Sequence, residues 1–213
     1  MQDFNKVLIL APHTDDAELG CGGSISKFLE EGKSVHIAVF STAEESLPKG
    51  AAPGTLKNEF YEAMNIMQVP KENLTVYNYP VRRLSYYRQE VLEELVKLKK
   101  EIDPDMVLLP SGQDLHQDHQ VVYTEGLRAF KERSLLGYEL PWNHITFSAQ
   151  AFNTLEKHHL DKKWEALQAY KTQLQIGRPY FSLAFLEGLA RVRGTMVKVD
   201  WAEAFEVIRI KWN

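Results

Sequence analysis

The sequence predicts an α/β domain of the Rossmann-like kind, a mostly parallel sheet with helices on both faces, followed by a C-terminal extension. Three observations carry this expectation. Short runs rich in β-branched residues alternate with longer amphipathic ones through the first two thirds of the chain. The short runs are mostly apolar and do not alternate strictly at every second position, which is what strands buried on both faces require. The chain has 213 residues, 44% of them hydrophobic and 25% charged, which suits one substantial core and is short for two. Residues 1–213 are therefore read as a single domain.

The elements follow in order. VLIL at 7–10 is the first strand. A helix is expected over 18–31, where Leu19, Ile25, Phe28 and Leu29 recur at helical spacing and Gly32 supplies a stop. VHIAVF at 35–40 is the second strand, and Leu56, Phe60, Ala63, Met64 and Met67 mark a helix over 55–67. LTVYNY at 74–79 is the third strand. Val91, Leu92, Leu95, Leu98 and Ile102 mark a helix over 89–102, which Pro104 ends before the fourth strand, MVLLP at 106–110. Residues 119–132 read as a helix. Further on the pattern is less regular: a strand near 145–149, a helix at 154–174 and a closing strand near 203–210 are expected.

Right-handed crossovers in such a sheet commonly set the first strand beside the fourth, and sites form beyond the carboxyl ends of those strands. The residues that follow these two strands are chemically dense. The first runs into Pro12-His13-Thr14-Asp15-Asp16, and the fourth into a loop that ends in His116-Gln117-Asp118-His119. The fold thus predicts that both segments meet.

An imidazole and a carboxylate three residues apart on a tight turn can reach one cation. His13 and Asp16, joined by His119, complete a His₂Asp set that leaves a position open for water, the catalytic form of a zinc site. Another divalent metal such as Fe2+ is compatible with the same donors. Asp15 is not needed as a ligand and is placed to act as a general base. His116, three residues before His119, can stabilise an oxyanion or protonate a leaving amine. Asp118 suits the orienting role of accepting a histidine ring N–H. Taken singly, each group has a plainer reading: a strand-end cap, helix N-terminal acids, or a solvated helix start. Their joint placement is what points to a site.

Composition removes other classes. A net charge of −4 gives no electrostatic reason to expect nucleic acid as a partner. One cysteine, Cys21, excludes an internal disulfide and a multi-thiolate zinc site. With no apolar run long enough for a signal peptide or a transmembrane segment, a cytoplasmic protein is expected. Gly20-Cys21-Gly22-Gly23 imitates a dinucleotide loop, but Ile25 occupies the third glycine position and Gly20 lies well beyond the strand end. Glu44 and Glu45, where a ribose-binding acid would sit, do not rescue that reading. The glycines instead suggest close packing of a helix beside the site.

These residues resemble the PIG-L (LmbE-like) N-deacetylases. The family's first motif is written A-H-P-D-D-E or P-H-x-D-D and is followed by a Gly-rich helix start; Ala11 to Asp16, with Glu18 to Gly23, match the second form. Its H-x-D-H motif is matched by His116 to His119. YELPWN at 138–143, the helix from Lys163 to Gln173, Arg193-Gly194 and Trp201 to Phe205 are similar to its closing landmarks. The resemblance implies His13, Asp16 and His119 as zinc ligands, Asp15 as base and His116 as the group facing the tetrahedral intermediate. It also implies a small acetamido-sugar substrate of the N-acetylglucosaminyl type. Three positions depart from it: Leu56 where Arg is frequent, Gln68 where Gly is common, and Tyr170 where a His often stands, two residues before Thr172-Gln173.

On the substrate side, Arg82 and Arg83, with Arg88, could hold a phosphate or form a solvated helix start. Tyr138 and Trp142, with His144, are candidates for a sugar-binding wall or for core packing. His158 and His159 are expected to face water and His36 to be structural. A homo-oligomer is compatible with all of this. The alternative to a metal-dependent amide hydrolase is a non-catalytic sugar- or nucleotide-binding module, which has no need of Asp15. A metallo-phosphoesterase usually uses two metals, and no second carboxylate-rich set stands out.

Overall fold

The structure, a computed structural model, describes residues 4–212. Its elements are β1 (Lys6–Ala11), α1 (Asp16–Glu30), β2 (Ser34–Val39), α2 (Thr55–Met67), β3 (Leu74–Val76), α3 (Arg88–Ile102), β4 (Met106–Pro110) and α4 (Gln117–Ala129), then β5 (Ser134–Tyr138), β6 (Ala151–Leu155), α5 (Lys157–Leu167), α6 (Lys171–Ile176), α7 (Leu183–Met196) and β7 (Trp201–Arg209).

Seven strands form one sheet in the order β3-β2-β1-β4-β5-β7-β6. β1 pairs in parallel with both β2 and β4, so the winding reverses between β1 and β4 as expected. The first five strands are parallel; β7 and β6 add antiparallel pairs at one edge. Side chains of β1 alternate between two cores, with Val7, Ile9 and Ala11 facing α1, α2 and α5, and Leu8 and Leu10 facing α3 and α4. A strand buried on both faces is apolar throughout, which explains VLIL.

The carboxyl-terminal third differs from expectation. Residues 145–149 are not a strand; the strand lies at Ala151–Leu155. The helix expected over 154–174 is two helices, α5 and α6, separated at 168–170. β5 and α7 had no counterpart in the reading of the sequence. The third strand is three residues long, since 77–79 leave the ladder.

α1 bends at Cys21, whose φ of −148° is not helical. The bend frees backbone groups, and a buried ion pair takes them up. Lys163 Nζ donates to the Leu19 carbonyl at 2.8 Å and to Glu203 at 2.8 Å. Glu203 in turn accepts from the amides of Gly23 and Ser24 at 3.0 and 2.7 Å. Positive charge thus meets the carboxyl end of the first half-helix and negative charge the amino end of the second. Gly20 permits the close approach: a Cβ there would lie 2.4 Å from the Tyr138 ring.

Candidate metal centre

β1 ends at Ala11, and the next four residues turn into α1 with Asp15 at its N-cap and Asp16 as its first residue. β4 ends at Pro110, and its loop closes with His116 as the N-cap of α4. Because β1 and β4 are neighbours, the two turns meet at the switch point.

His13 Nε2 lies 3.0 Å from Asp118 Oδ2, and His119 Nδ1 lies 2.7 Å from Asp114 Oδ2. Carboxylates only accept, so these two nitrogens carry the ring protons and leave lone pairs on His13 Nδ1 and His119 Nε2. Those lone pairs are 3.3 Å apart and lie 3.2 and 3.3 Å from Asp16 Oδ2. Donors about 2.0–2.1 Å from a tetrahedral cation are roughly 3.3 Å from one another. The three atoms therefore form the face of a tetrahedron of the right size, and two nitrogens with one oxygen suit zinc. Two lone pairs and a carboxylate oxygen aimed at one point are stable only around a proton or a cation. Electrostatics agree: burial opposes a charge on His13, but its hydrogen bonds to Asp118 and Asp16 outweigh it and raise its pKa to about 8. His119, also opposed by burial, is raised to about 10 by Asp16 and Asp114. Burial raises the Asp16 carboxyl, but His119 and His13 overcome it and hold it far below the usual range.

His116 lies close to the His13 and His119 rings, yet its hydrogen bonding separates it from them. Its Nδ1 accepts the Asp118 amide at 3.2 Å, which puts the ring proton on Nε2. A protonated Nε2 cannot ligate; it can donate into the cleft. Burial and the neighbouring His119 and His13 push its pKa down to about 4, so the ring is neutral at neutral pH. Asp15 is half-buried beside the set. Burial and the adjacent Asp16 raise its carboxyl to about 6.

The carboxylates behind the ligands tie the site to the fold. Asp118 accepts from His13, from the Arg82 amide at 2.5 Å and from the Leu84 amide at 3.1 Å, joining three segments. Asp114 accepts from His119, from the His116 amide at 2.8 Å and from Asn143 at 3.2 Å. Reasoning from the sequence missed Asp114, although a carboxylate five residues before a ligating histidine is a usable signal. Burial raises Glu18 to about 8. When protonated it donates a hydrogen bond to the Tyr170 hydroxyl oxygen at 2.6 Å, while Tyr170 donates to the Thr14 carbonyl at 2.5 Å. Tyr170 thereby braces the turn between β1 and α1.

A cleft of about 280 Å³ opens over the set, walled by Leu56, Val81, Arg82, Trp142, Arg178 and Tyr180. Two of the proposed substrate residues are not part of it. Tyr138 is fully buried, with its hydroxyl on the Leu10 carbonyl at 3.0 Å, and is a core residue. Arg83 is exposed outside the cleft. Trp142 lines the cleft, but its ring face is covered by Tyr180, with centroids 3.7 Å apart. Arg88 is committed to Glu125 at 2.6 Å. Arg178 and Tyr180 were missed; nothing local in the sequence links them to the loops they meet.

His159 does not face water. It is buried, and its Nδ1 accepts the Glu156 amide at 2.9 Å in a capping box at the start of α5. Its Nε2 proton goes to Glu30 at 2.6 Å, which also pairs with His158 at 2.8 Å. That second His/Glu cluster thus offers no lone pair on His159 and is a helix-capping device.

A family model described as GlcNAc-PI de-N-acetylase, PIG-L, matches residues 8–130, from β1 to just past α4. An Escherichia coli K12 protein named uncharacterized deacetylase YaiS is 24% identical over 173 residues, covering 78% of this chain and 90% of its own. The structure of N,N'-diacetylchitobiose deacetylase from Pyrococcus horikoshii matches with a TM-score of 0.81 at 20% identity, covering 97% of this chain and 85% of that one. The 4-carboxy-2-hydroxymuconate hydratase of Pseudomonas putida KT2440 matches with a TM-score of 0.75 at 18% identity, covering 98% and 99%. At such identities the structural likenesses concern the fold, which carries more than one chemistry. The family match rests on more than half of the chain and includes every donor of the cluster, and the protein belongs to the PIG-L family.

Proposed function

We propose that the protein is a zinc-dependent hydrolase that removes the acetyl group from an N-acetylated amino sugar or sugar conjugate. The observation that carries this is the tetrahedral face formed by His13, Asp16 and His119 with Asp15 and His116 beside it in one cleft. Bound zinc would polarise the amide carbonyl and acidify water. The chain's own groups do the rest. Asp15, ionised above about pH 6, accepts the proton of the attacking water and returns it to the departing nitrogen, so that water and amide become acetate and amine. His116 donates Nε2–H to the oxygen that gains charge at the tetrahedral stage; a neutral ring suits a hydrogen-bond donor better than a general acid. Asp118 and Asp114 fix the ring orientations of His13 and His119. A non-catalytic sugar- or nucleotide-binding module would have no use for the poised Asp15, and no feature of the site favours that reading.

The test is acetate release. An N-acetylglucosaminyl conjugate should yield one acetate per primary amine, and a strong chelator should stop both. Turnover that survives complete metal removal, or conversion without amine formation, contradicts the proposal.

A further inference from the structure

We propose a second binding site, at the end of the sheet opposite the metal centre, for an aliphatic monocarboxylate of medium chain length. None of the groups assigned to metal, base or oxyanion lines it, and it stands whatever the reaction in the cleft.

α1 starts at the metal turn with Asp16 and carries Lys27 and Phe28 near its other end, roughly 18 Å further along at about 1.5 Å per residue. There the helix and the sheet part. Between them lies a groove of about 310 Å³, near the lower end of the size range of small-molecule sites. Its floor is Met106, Leu108, Leu136 and Phe205, from β4, β5 and β7. Phe28 and Phe4 form one wall, their rings edge to face with centroids 5.3 Å apart. The edge strand β6 forms the other, where Ala151, paired with Phe205, presents a single methyl group. The pairing of β5 with β7 shifts register between Leu135 and Leu136, and a bulge of this kind bends the sheet, here at the groove floor. The gap is therefore a product of the fold: a bent sheet and a small side chain leave space that the helix does not fill.

Such a lining takes hydrocarbon. The rim sets what stands at the end of the chain. Lys27 and Lys33 both border the groove, with side chains only 24% and 20% exposed. Lys27 Nζ reaches from α1 across to β6 and donates to the Thr154 carbonyl at 2.7 Å. Lys33 Nζ is held 4.2 Å from the centroid of the Phe4 ring, a cation–π contact that keeps the ammonium beside the apolar wall. Among the described residues the two lysines share one carboxylate, Glu31, at 4.0 and 3.1 Å. Two cations against one anion leave one positive charge beside an apolar groove. A carboxylate on an aliphatic chain matches both features and can accept from an ammonium. A phosphate monoester would bring nearly two negative charges and leave one unbalanced.

Calorimetric titration of the purified protein with decanoate, decanol and decyl phosphate tests this. Decanoate should saturate with Kd below about 1 mM and bind about tenfold more tightly than decanol. Octanoate should bind about tenfold more weakly than decanoate, the effect of two buried methylenes. Lys33→Gln leaves Lys27 and Glu31 in balance; it should weaken decanoate about tenfold and leave decanol within about twofold. Ala151→Trp should fill the groove and abolish binding of both, and the smaller Ala151→Leu should weaken both, with cooperative thermal unfolding retained. Absence of saturable decanoate binding overturns the proposal, as do equal affinities for decanoate and decanol, tighter binding of decyl phosphate, or binding untouched by both Ala151 variants. Sedimentation of the same proteins covers the remaining occupant. A wild-type dimer that the Ala151 variants split, with no decanoate bound, assigns the groove to a second copy of the chain and overturns the carboxylate.

Discussion

Asp15 and Asp16 are adjacent and chemically identical, and their surroundings give them opposite characters. Two histidines hold Asp16 ionised, whereas burial and the Asp16 charge bring Asp15 into the range of a base that works near neutral pH. The convergence of His13, Asp16 and His119 was legible because spacing on a tight turn leaves few ways for such donors to point apart. His116 and His119 differ in hydrogen bonding, Nδ1 of His116 accepting the Asp118 amide and Nδ1 of His119 donating to Asp114, and the sequence cannot express that difference. His116→Ala should accordingly retain metal while kcat falls by about 10²–10³, the usual loss of an oxyanion donor; metal loss in this variant would make it a ligand. Asp114 was overlooked although its spacing from His119 was available, because the contact is made only when the loop folds back on the helix it precedes. Asp114→Ala should lower metal affinity by about 10–100-fold, measured by competition with a chromogenic chelator, with Asp114→Asn milder.

At the scale of elements, the reading found the parallel strands β1 to β4, missed the buried inner strand β5 and misplaced the edge strand β6. β6 packs antiparallel at the sheet edge, is short and keeps partly exposed side chains, so its apolar signal is weak. The periodicity of Leu160, Trp164 and Leu167 continues into Tyr170 and Leu174 across a break that no Gly or Pro marks. Gln68 shows the reverse case, a departure from the family's pattern that acquires a structural meaning. It ends α2 with φ of 64°, the left-handed cap conformation in which glycine carries no Cβ penalty. Relief of about 1 kcal/mol by Gln68→Gly should raise Tm by roughly 2–4 °C without altering metal content; an unchanged or lower Tm means the cap is not strained. The Lys163–Glu203 pair belongs to this scale too. Lys163→Met would leave Glu203 buried and uncompensated, and should cost about 3–5 kcal/mol in denaturant unfolding, partly recovered by adding Glu203→Gln.

At the scale of the molecule, the fold's contribution is to bring together residues far apart in the chain. The switch point between β1 and β4 joins His13 to His119, and the closing third brings Arg178 and Tyr180 to the same cleft. The first junction was predictable from winding rules; the second was not, because the path from β5 through the edge strands follows no comparable rule. No described helix is long and apolar enough to cross a membrane. In the proposed mechanism Asp16 binds the metal and its neighbour Asp15 takes the proton. The decisive measurement is bound zinc and kcat for acetate release in Asp15→Asn and Asp16→Asn. Asp15→Asn should keep about one zinc per chain while kcat falls by about 10²–10⁴, because the amide retains the shape and cannot take the proton. The acidic limb of its pH profile, which in the wild type reflects loss of the ionised base below about pH 6, should flatten. Asp16→Asn should lose zinc and recover part of its rate when zinc is added. Loss of zinc from Asp15→Asn with retention in Asp16→Asn would contradict the account and reverse the two roles.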